Sequence, residues 1–299
     1  MTTDTALPNR WIVGVDGSCH SRRAVDWALA NAAGRTSQIQ LTTAWSVPAA
    51  LAYPPAPAIS NSFPADLERA AVEMLGEVER QATIPGDLDV TKMAVCGGPA
   101  NVLLDAAEDA SLLVVGSRGH GGFTRLLLGS TSTQVATHAH VPVVVVPESG
   151  HSEALDRVVV GIDGSANSLA ALDWTLGWVS PGTSVEALMV WDLSPLMPGN
   201  ERFVYPEETG LGEERLEHLV GAAVDRVGRR DISVHHRFRS GSARAEIQHA
   251  AERADLVITG ARGHGAIGAA ILGSVSTWLL HHLDVPMVVV PHAVSSEES

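Results

Sequence analysis

Glycines and small hydroxyl residues recur in this sequence at a spacing suited to holding phosphate. Gly116 and Gly119 are followed, after nine intervening residues, by Gly129-Ser130-Thr131-Ser132. The pattern returns as Gly260, Gly263 and Gly273-Ser274-Val275-Ser276. A glycine lets the backbone leave a strand end and approach a ligand closely. A Gly-Ser pair that opens a helix presents free N–H groups and the positive end of the helix dipole, both favourable to phosphate oxygens. The hydroxyls of Ser130, Thr131 and Ser132 add donors at the same place. The competing reading makes Ser130 a helix cap and the glycines turn residues. Two copies at one spacing favour the ligand reading.

Asp16 and Asp163 form the second signal. Each ends a short β-branched run (Val15 and Ile162 precede them) and each is followed by Gly-Ser. An acid there could accept hydrogen bonds from an adenine or a ribose, with Ser18 and Ser165 capping the next helix. Asp-Gly-Ser is equally a strand-to-helix turn with a good cap, and both readings stand. Arg118 and Arg262, also repeated, are either phosphate partners or exposed loop charges. His120 and His264 read as solvated loop side chains. His138 and His282 occupy equivalent positions near a helix end, where an imidazolium suits the dipole. The histidine pairs do not converge on one helix face, so no metal site is expected from them.

Other nucleotide and nucleophile signatures fail. There is no Gly-x4-Gly-Lys-[Ser/Thr], so the lysine of a P-loop is missing. The glycine cluster follows a late strand and not the first, unlike a dinucleotide fingerprint. No Gly-x-Ser-x-Gly elbow occurs.

The positioning elements are duplicated too. Ile12-Val-Gly-Val-Asp-Gly-Ser18 returns as Val159-Val-Gly-Ile-Asp-Gly-Ser165, 147 positions on. Leu113-Val-Val-Gly-Ser-Arg-Gly-His-Gly121 returns as Val257-Ile-Thr-Gly-Ala-Arg-Gly-His-Gly265, 144 positions on. The difference implies one short deletion in a loop between two head-to-tail domains, 1–149 and 150–299, with a linker near 148–156. In the first copy the pattern predicts strands at 11–15, 38–45, 88–95, 112–116 and 143–146, and helices at 18–33, 65–81, 100–109 and 130–138. The Pro-rich stretch 47–64 reads as a loop. Trp27 and Trp174, at matching helical positions, read as core anchors. Alternating strands and helices imply parallel strands with right-handed crossovers, helices on both faces, and a ligand crevice at the switch point.

Composition bounds the rest. At 299 residues, 45% hydrophobic and 18% charged, the chain suits two globular domains. A net charge of −14 counts against duplex nucleic acid, which is bound by clustered Lys and Arg. It does not count against a mononucleotide held by backbone N–H groups. No apolar run is long enough to span a bilayer and the first ten residues are polar, so a cytoplasmic protein without membrane contact is expected. Cys19 and Cys96 are too few for a disulfide framework or a Cys-based zinc cluster, and read as reduced thiols in or near a core.

The G-x2-G-x9-G-[ST] spacing, with an Asp after the first strand, resembles the ATP-binding branch of the universal stress protein family, twice over nearly the whole chain. The resemblance implies two doubly wound, Rossmann-like α/β domains, each a five-stranded parallel sheet in the order 3-2-1-4-5. It implies ATP, with or without Mg2+, over the ends of strands one and four. Asp16 and Asp163 would then bind the adenosine, and Ala44 and Val190 would line the adenine pocket. Val115, Gly116, Gly119, Gly129, Ser130, Thr131 and Ser132 would hold ribose and phosphates. Thr259, Gly260, Gly263, Gly273, Ser274, Val275 and Ser276 would do so in the second copy, where Val275 lacks the Thr131 hydroxyl. The family pairs through its last strands, which implies an internal pseudo-dimer, with a homodimer of whole chains as a further option. A stress or regulatory role is implied by the resemblance alone, and the acidic balance suggests a regulatory protein partner or none. A slow ATP hydrolase in the same pockets, or a nucleotide-free interaction module, are the alternatives. No dedicated catalytic constellation favours turnover.

Overall fold

The computed structural model describes residues 10–47, 63–119, 128–149, 155–191, 206–263 and 272–291. The chain separates into two compact units, Met1–Glu148 and Ser149–Ser299.

In the first unit the order is β1 (Arg10–Gly14), α1 (Cys19–Asn31), β2 (Gln38–Trp45), α2 (Phe63–Gln81), β3 (Asp89–Cys96), α3 (Pro99–Ala107), β4 (Leu112–Gly116), α4 (Ser130–His138) and β5 (Val143–Val146). The second unit repeats it with β6 (Arg157–Ile162), α5 (Ala166–Trp178), β7 (Ser184–Trp191), α6 (Pro206–Val227), β8 (Ser233–Ser240), α7 (Ala243–Ala251), β9 (Leu256–Gly260), α8 (Ser274–His282) and β10 (Met287–Val290). The strand orders are β3-β2-β1-β4-β5 and β8-β7-β6-β9-β10, the doubly wound arrangement that the alternating pattern and the family resemblance imply. Every pair within a unit is parallel.

Strands covered on both faces read as continuous apolar runs, and β4, β5, β9 and β10 are buried along their whole length. The outer strands β3 and β8 have no fully buried residue. In the long helix α6, Leu216, Val220 and Ala223 form a buried stripe at helical spacing.

Several expectations shift. The predicted loop 47–64 lies mostly outside the described residues, and α2 already begins at Phe63. The three-residue shortening of the second copy is spread over two connections. Arg10 and Arg157 open β1 and β6, 147 apart; Gln38 and Ser184 open β2 and β7, 146 apart; Asp89 and Ser233 open β3 and β8, 144 apart. One residue is therefore lost between α1 and β2, and two between β2 and β3.

The paired tryptophans also differ. Trp27 is fully buried and stacks on Trp11 of β1, with ring centroids 6.3 Å apart. The counterpart of Trp11 in β6 is Val158, which offers no ring. Trp174 is only half-buried and stacks instead on Trp178 along its own helix, at 4.9 Å. Both cysteines are exposed, against the expectation of core thiols: Cys19 begins α1 and Cys96 ends the outer strand β3.

Candidate functional site

The chain leaves β1 and β4 on opposite sides of the sheet, opening a crevice at their carboxyl ends. A cavity of about 480 Å³ occupies it in the first unit, and one of about 660 Å³ occupies the equivalent place in the second. Both fall in the range of small-molecule sites.

One wall is the turn after the first strand. Ser18 donates both its N–H (3.0 Å) and its hydroxyl (2.6 Å) to Asp16 Oδ1, and Ser18 Oγ accepts the N–H of Ser21, capping α1. The intervening Gly17 has φ +83°, a left-handed conformation that glycine adopts without strain. In the second unit Ser165 N–H donates to Asp163 Oδ1 at 2.9 Å, Ser165 caps α5, and Gly164 has φ +84°.

The facing wall is the glycine loop and the next helix. Gly116 ends β4 against α1: a Cβ there would stand 2.6 Å from the backbone carbonyl of His20. Gly260 meets Asn167 in the same way, at 2.7 Å. These two glycines are required by helix packing whether or not a ligand is present. Helices α4 and α8 start at Gly129 and Gly273, which hold an extended cap conformation and supply no side-chain cap. The first intrahelical bonds are Thr133 N–H to Gly129 O and Thr277 N–H to Gly273 O. Among the described residues, the N–H groups of Ser130, Thr131 and Ser132, and of Ser274, Val275 and Ser276, have no backbone partner. Such a start is a ready anion site.

The structure brings nearly all the sequence candidates together. In the first unit Val15, Asp16, Ala44, Val115, Gly116, Gly119, Gly129, Ser130, Thr131 and Ser132 all border the cavity. In the second, Ile162, Asp163, Val190, Thr259, Gly260, Gly263, Gly273, Ser274, Val275 and Ser276 do. Ser18 and Ser165 do not: they cap helices behind the wall. The Ser132 hydroxyl is also spoken for, since it donates to Gly116 O at 2.7 Å and is buried. Ser276 repeats this with Gly260 O at 2.9 Å, so each of these serines staples helix to strand and offers a ligand only its backbone N–H. Arg118 and Arg262 reach the cavities, and Arg118 is held by Glu148 Oε2 at 2.5 Å. His120 and His264 lie outside the described residues.

Other wall residues belong to none of these motifs. Thr42, Thr43, Pro99 and Leu103 also line the first cavity. Leu188, Ala243 and Ile247 stand opposite Thr42, Pro99 and Leu103 in the second. The repeat itself was the available signal, because Leu103 and Ile247, like Leu128 and Leu272, are 144 apart. The first wall is hydroxyl-bearing at Thr42 and Thr131 where the second carries Leu188 and Val275.

One group of side chains brought together by the fold belongs to no motif in the sequence. Cys19, His20 and Glu148 bring a thiol, an imidazole and a carboxylate within 4.8 Å of one another. Among the described residues no helix is long and apolar enough to cross a membrane.

Two doubly wound α/β units, each with a glycine-capped helix start and an acid bordering its switch-point cavity, define a tandem fold with duplicated cavities. The Universal stress protein family matches residues 9–147 and again 154–291, and the chain belongs to that family. A universal stress protein of Mycolicibacterium smegmatis is 32% identical over 294 residues, covering 93% of this chain and 96% of the relative. The crystal structure of a universal stress protein from Archaeoglobus fulgidus shares the fold, with a TM-score of 0.64 at 22% identity over 95% of this chain and 99% of that one. A universal stress protein solved in complex with cAMP matches 46% of this chain and 96% of its own, with 28% identity and a TM-score of 0.33.

Proposed function

We propose that each unit binds one adenine nucleotide, ATP with or without Mg2+, and that occupancy of the two sites is the signal of a cytoplasmic stress-response regulator read by a protein partner. The observation that carries this reading is the start of α4 and of α8. Each opens on a glycine into a cavity, with three N–H groups that no described backbone group accepts. Those groups and the dipole behind them favour phosphate oxygens. At the other end of the first cavity, Ala44 and Leu103 give an apolar bed for a purine, and Asp16 supplies acceptor oxygens beside the ribose position. Val190, Ile247 and Asp163 do the same in the second.

The test is to extract freshly purified protein with acid, identify any released small molecule by mass spectrometry, and titrate ATP while following the melting temperature. Ligand at about 100 times its Kd adds about 2.7 kcal/mol to the unit that binds it. Adenine nucleotide in the extract and a melting temperature that rises with added ATP are the expected results. An empty extract with no shift contradicts the reading.

A further inference from the structure

The cluster of Cys19, His20 and Glu148 is made by topology. Cys19 and His20 open α1, which packs on β4 and β5. The backbone of His20 is pressed against Gly116, which fixes the start of the helix at the end of β4. β5 is the next strand in the sheet, and Glu148 follows its last residue by two positions. Two neighbouring residues are thereby brought onto one that lies 128 positions away.

The imidazole meets the other two groups, one at each ring nitrogen. His20 Nδ1 is 3.4 Å from Cys19 Sγ, and His20 Nε2 is 3.4 Å from Glu148 Oε2. The side chain of His20 is 11% exposed, and its Nε2 makes no hydrogen bond among the described residues. Nδ1 is the nitrogen that can share a metal ion with Cys19 Sγ, while Nε2 faces Glu148. Cys19 and Glu148 are exposed, so the thiol and the carboxylate are accessible from solvent.

We propose that Cys19, His20 and Glu148 form a Zn2+ site. A tetrahedral zinc ion with bonds of about 2.0–2.3 Å holds its ligand atoms about 3.3–3.8 Å apart, and the Sγ–Nδ1 pair already has that separation. Glu148 Oε1 closes the third position by a side-chain rotation, with Arg118 remaining on Oε2, and water is the fourth ligand. Thiolate, imidazole and carboxylate together suit zinc and not the oxygen-seeking Mg2+ or Ca2+. On binding, the Cys19 thiol gives its proton to solvent and the sulfur pair bonds to the metal. The site belongs to the first unit alone, since Ala166 and Asn167 stand where Cys19 and His20 would be repeated.

The probe is Co2+, titrated into chelator-stripped full-length protein, with Zn2+ added afterwards. Thiolate-to-cobalt charge transfer is expected to saturate at one equivalent per chain and to be abolished by Zn2+. Cys19→Ser should remove the band, and Cys96→Ser should leave it intact. His20→Gln and Glu148→Gln should each weaken Co2+ binding at least tenfold. Cys19 and Glu148 are exposed, so their variants decide the matter even if His20→Gln fails to fold. A band that is missing in the wild type, survives Cys19→Ser, depends on Cys96, or is indifferent to Glu148→Gln overturns the site. The readout uses no nucleotide and is independent of the function proposed above.

Discussion

Gly119 lies against the carboxylate of Asp16 so closely that a Cβ on the glycine would collide with Oδ2, and Gly263 meets Asp163 in the same way. The glycine loop and the acid after the first strand, two separate signals in the sequence, are thus two sides of one contact. Gly119→Ala should cost about 1–3 kcal/mol of stability through overpacking. Combined with Asp16→Gly, the loss should be smaller than the sum of the two single losses, because the pair is coupled. Denaturant unfolding of the three variants checks this.

The serines after Gly17 and Gly164 act as helix caps, so Ser18→Ala and Ser165→Ala should each cost about 1 kcal/mol. Thr131→Val, which copies the second unit into the first, touches no cap bond. It should leave stability within about 0.5 kcal/mol of wild type. Thermal melts of the three variants compare them directly.

Trp27 and Trp174 should part ways on truncation. Trp27 is fully buried on Trp11, and Trp27→Ala should cost about 3–5 kcal/mol. Trp174 is half-buried and stacked on Trp178, so its replacement by Ala should lose the stacking and part of the burial, about 1–2 kcal/mol. Equilibrium unfolding monitored by circular dichroism separates the two.

That contrast marks where the sequence was readable. The strand runs, the Asp-Gly-Ser turns and the G-x2-G-x9-G-S spacing are local patterns with local causes, and they located the fold and most of both cavity walls. What they missed depends on contacts between distant segments. Trp174 looks like Trp27 until the partner strand carries Val158 in place of Trp11. Ser132 looks like a phosphate donor until its hydroxyl meets Gly116 O. Cys19, His20 and Glu148 form no motif, because only the adjacency of β4 and β5 unites them.

Burial, and secondarily the neighbouring His282, push the His281 imidazole below its usual value. Its neutral form is therefore favoured in the folded state. The stability this contributes is fully present above about pH 6.5 and is lost as pH falls through the lowered folded value. His281→Asn should flatten the loss of stability between pH 7.5 and 5.5. Denaturant midpoints measured across that interval give the comparison.

The most direct test of the proposed pair of nucleotide sites is calorimetric titration of ATP into the wild type, Gly129→Lys, Gly273→Lys and the double variant. Gly129 and Gly273 have φ values of −78° and −61°, which any residue adopts, and a Cβ at either clears its nearest neighbour by 3.4 Å. The lysines therefore fill the helix starts while the backbone keeps its course. Two equivalents of ATP in the wild type, one in each single variant and none in the double variant are predicted. No binding in the wild type, or binding that the lysines leave unchanged, would contradict a nucleotide held at the starts of α4 and α8.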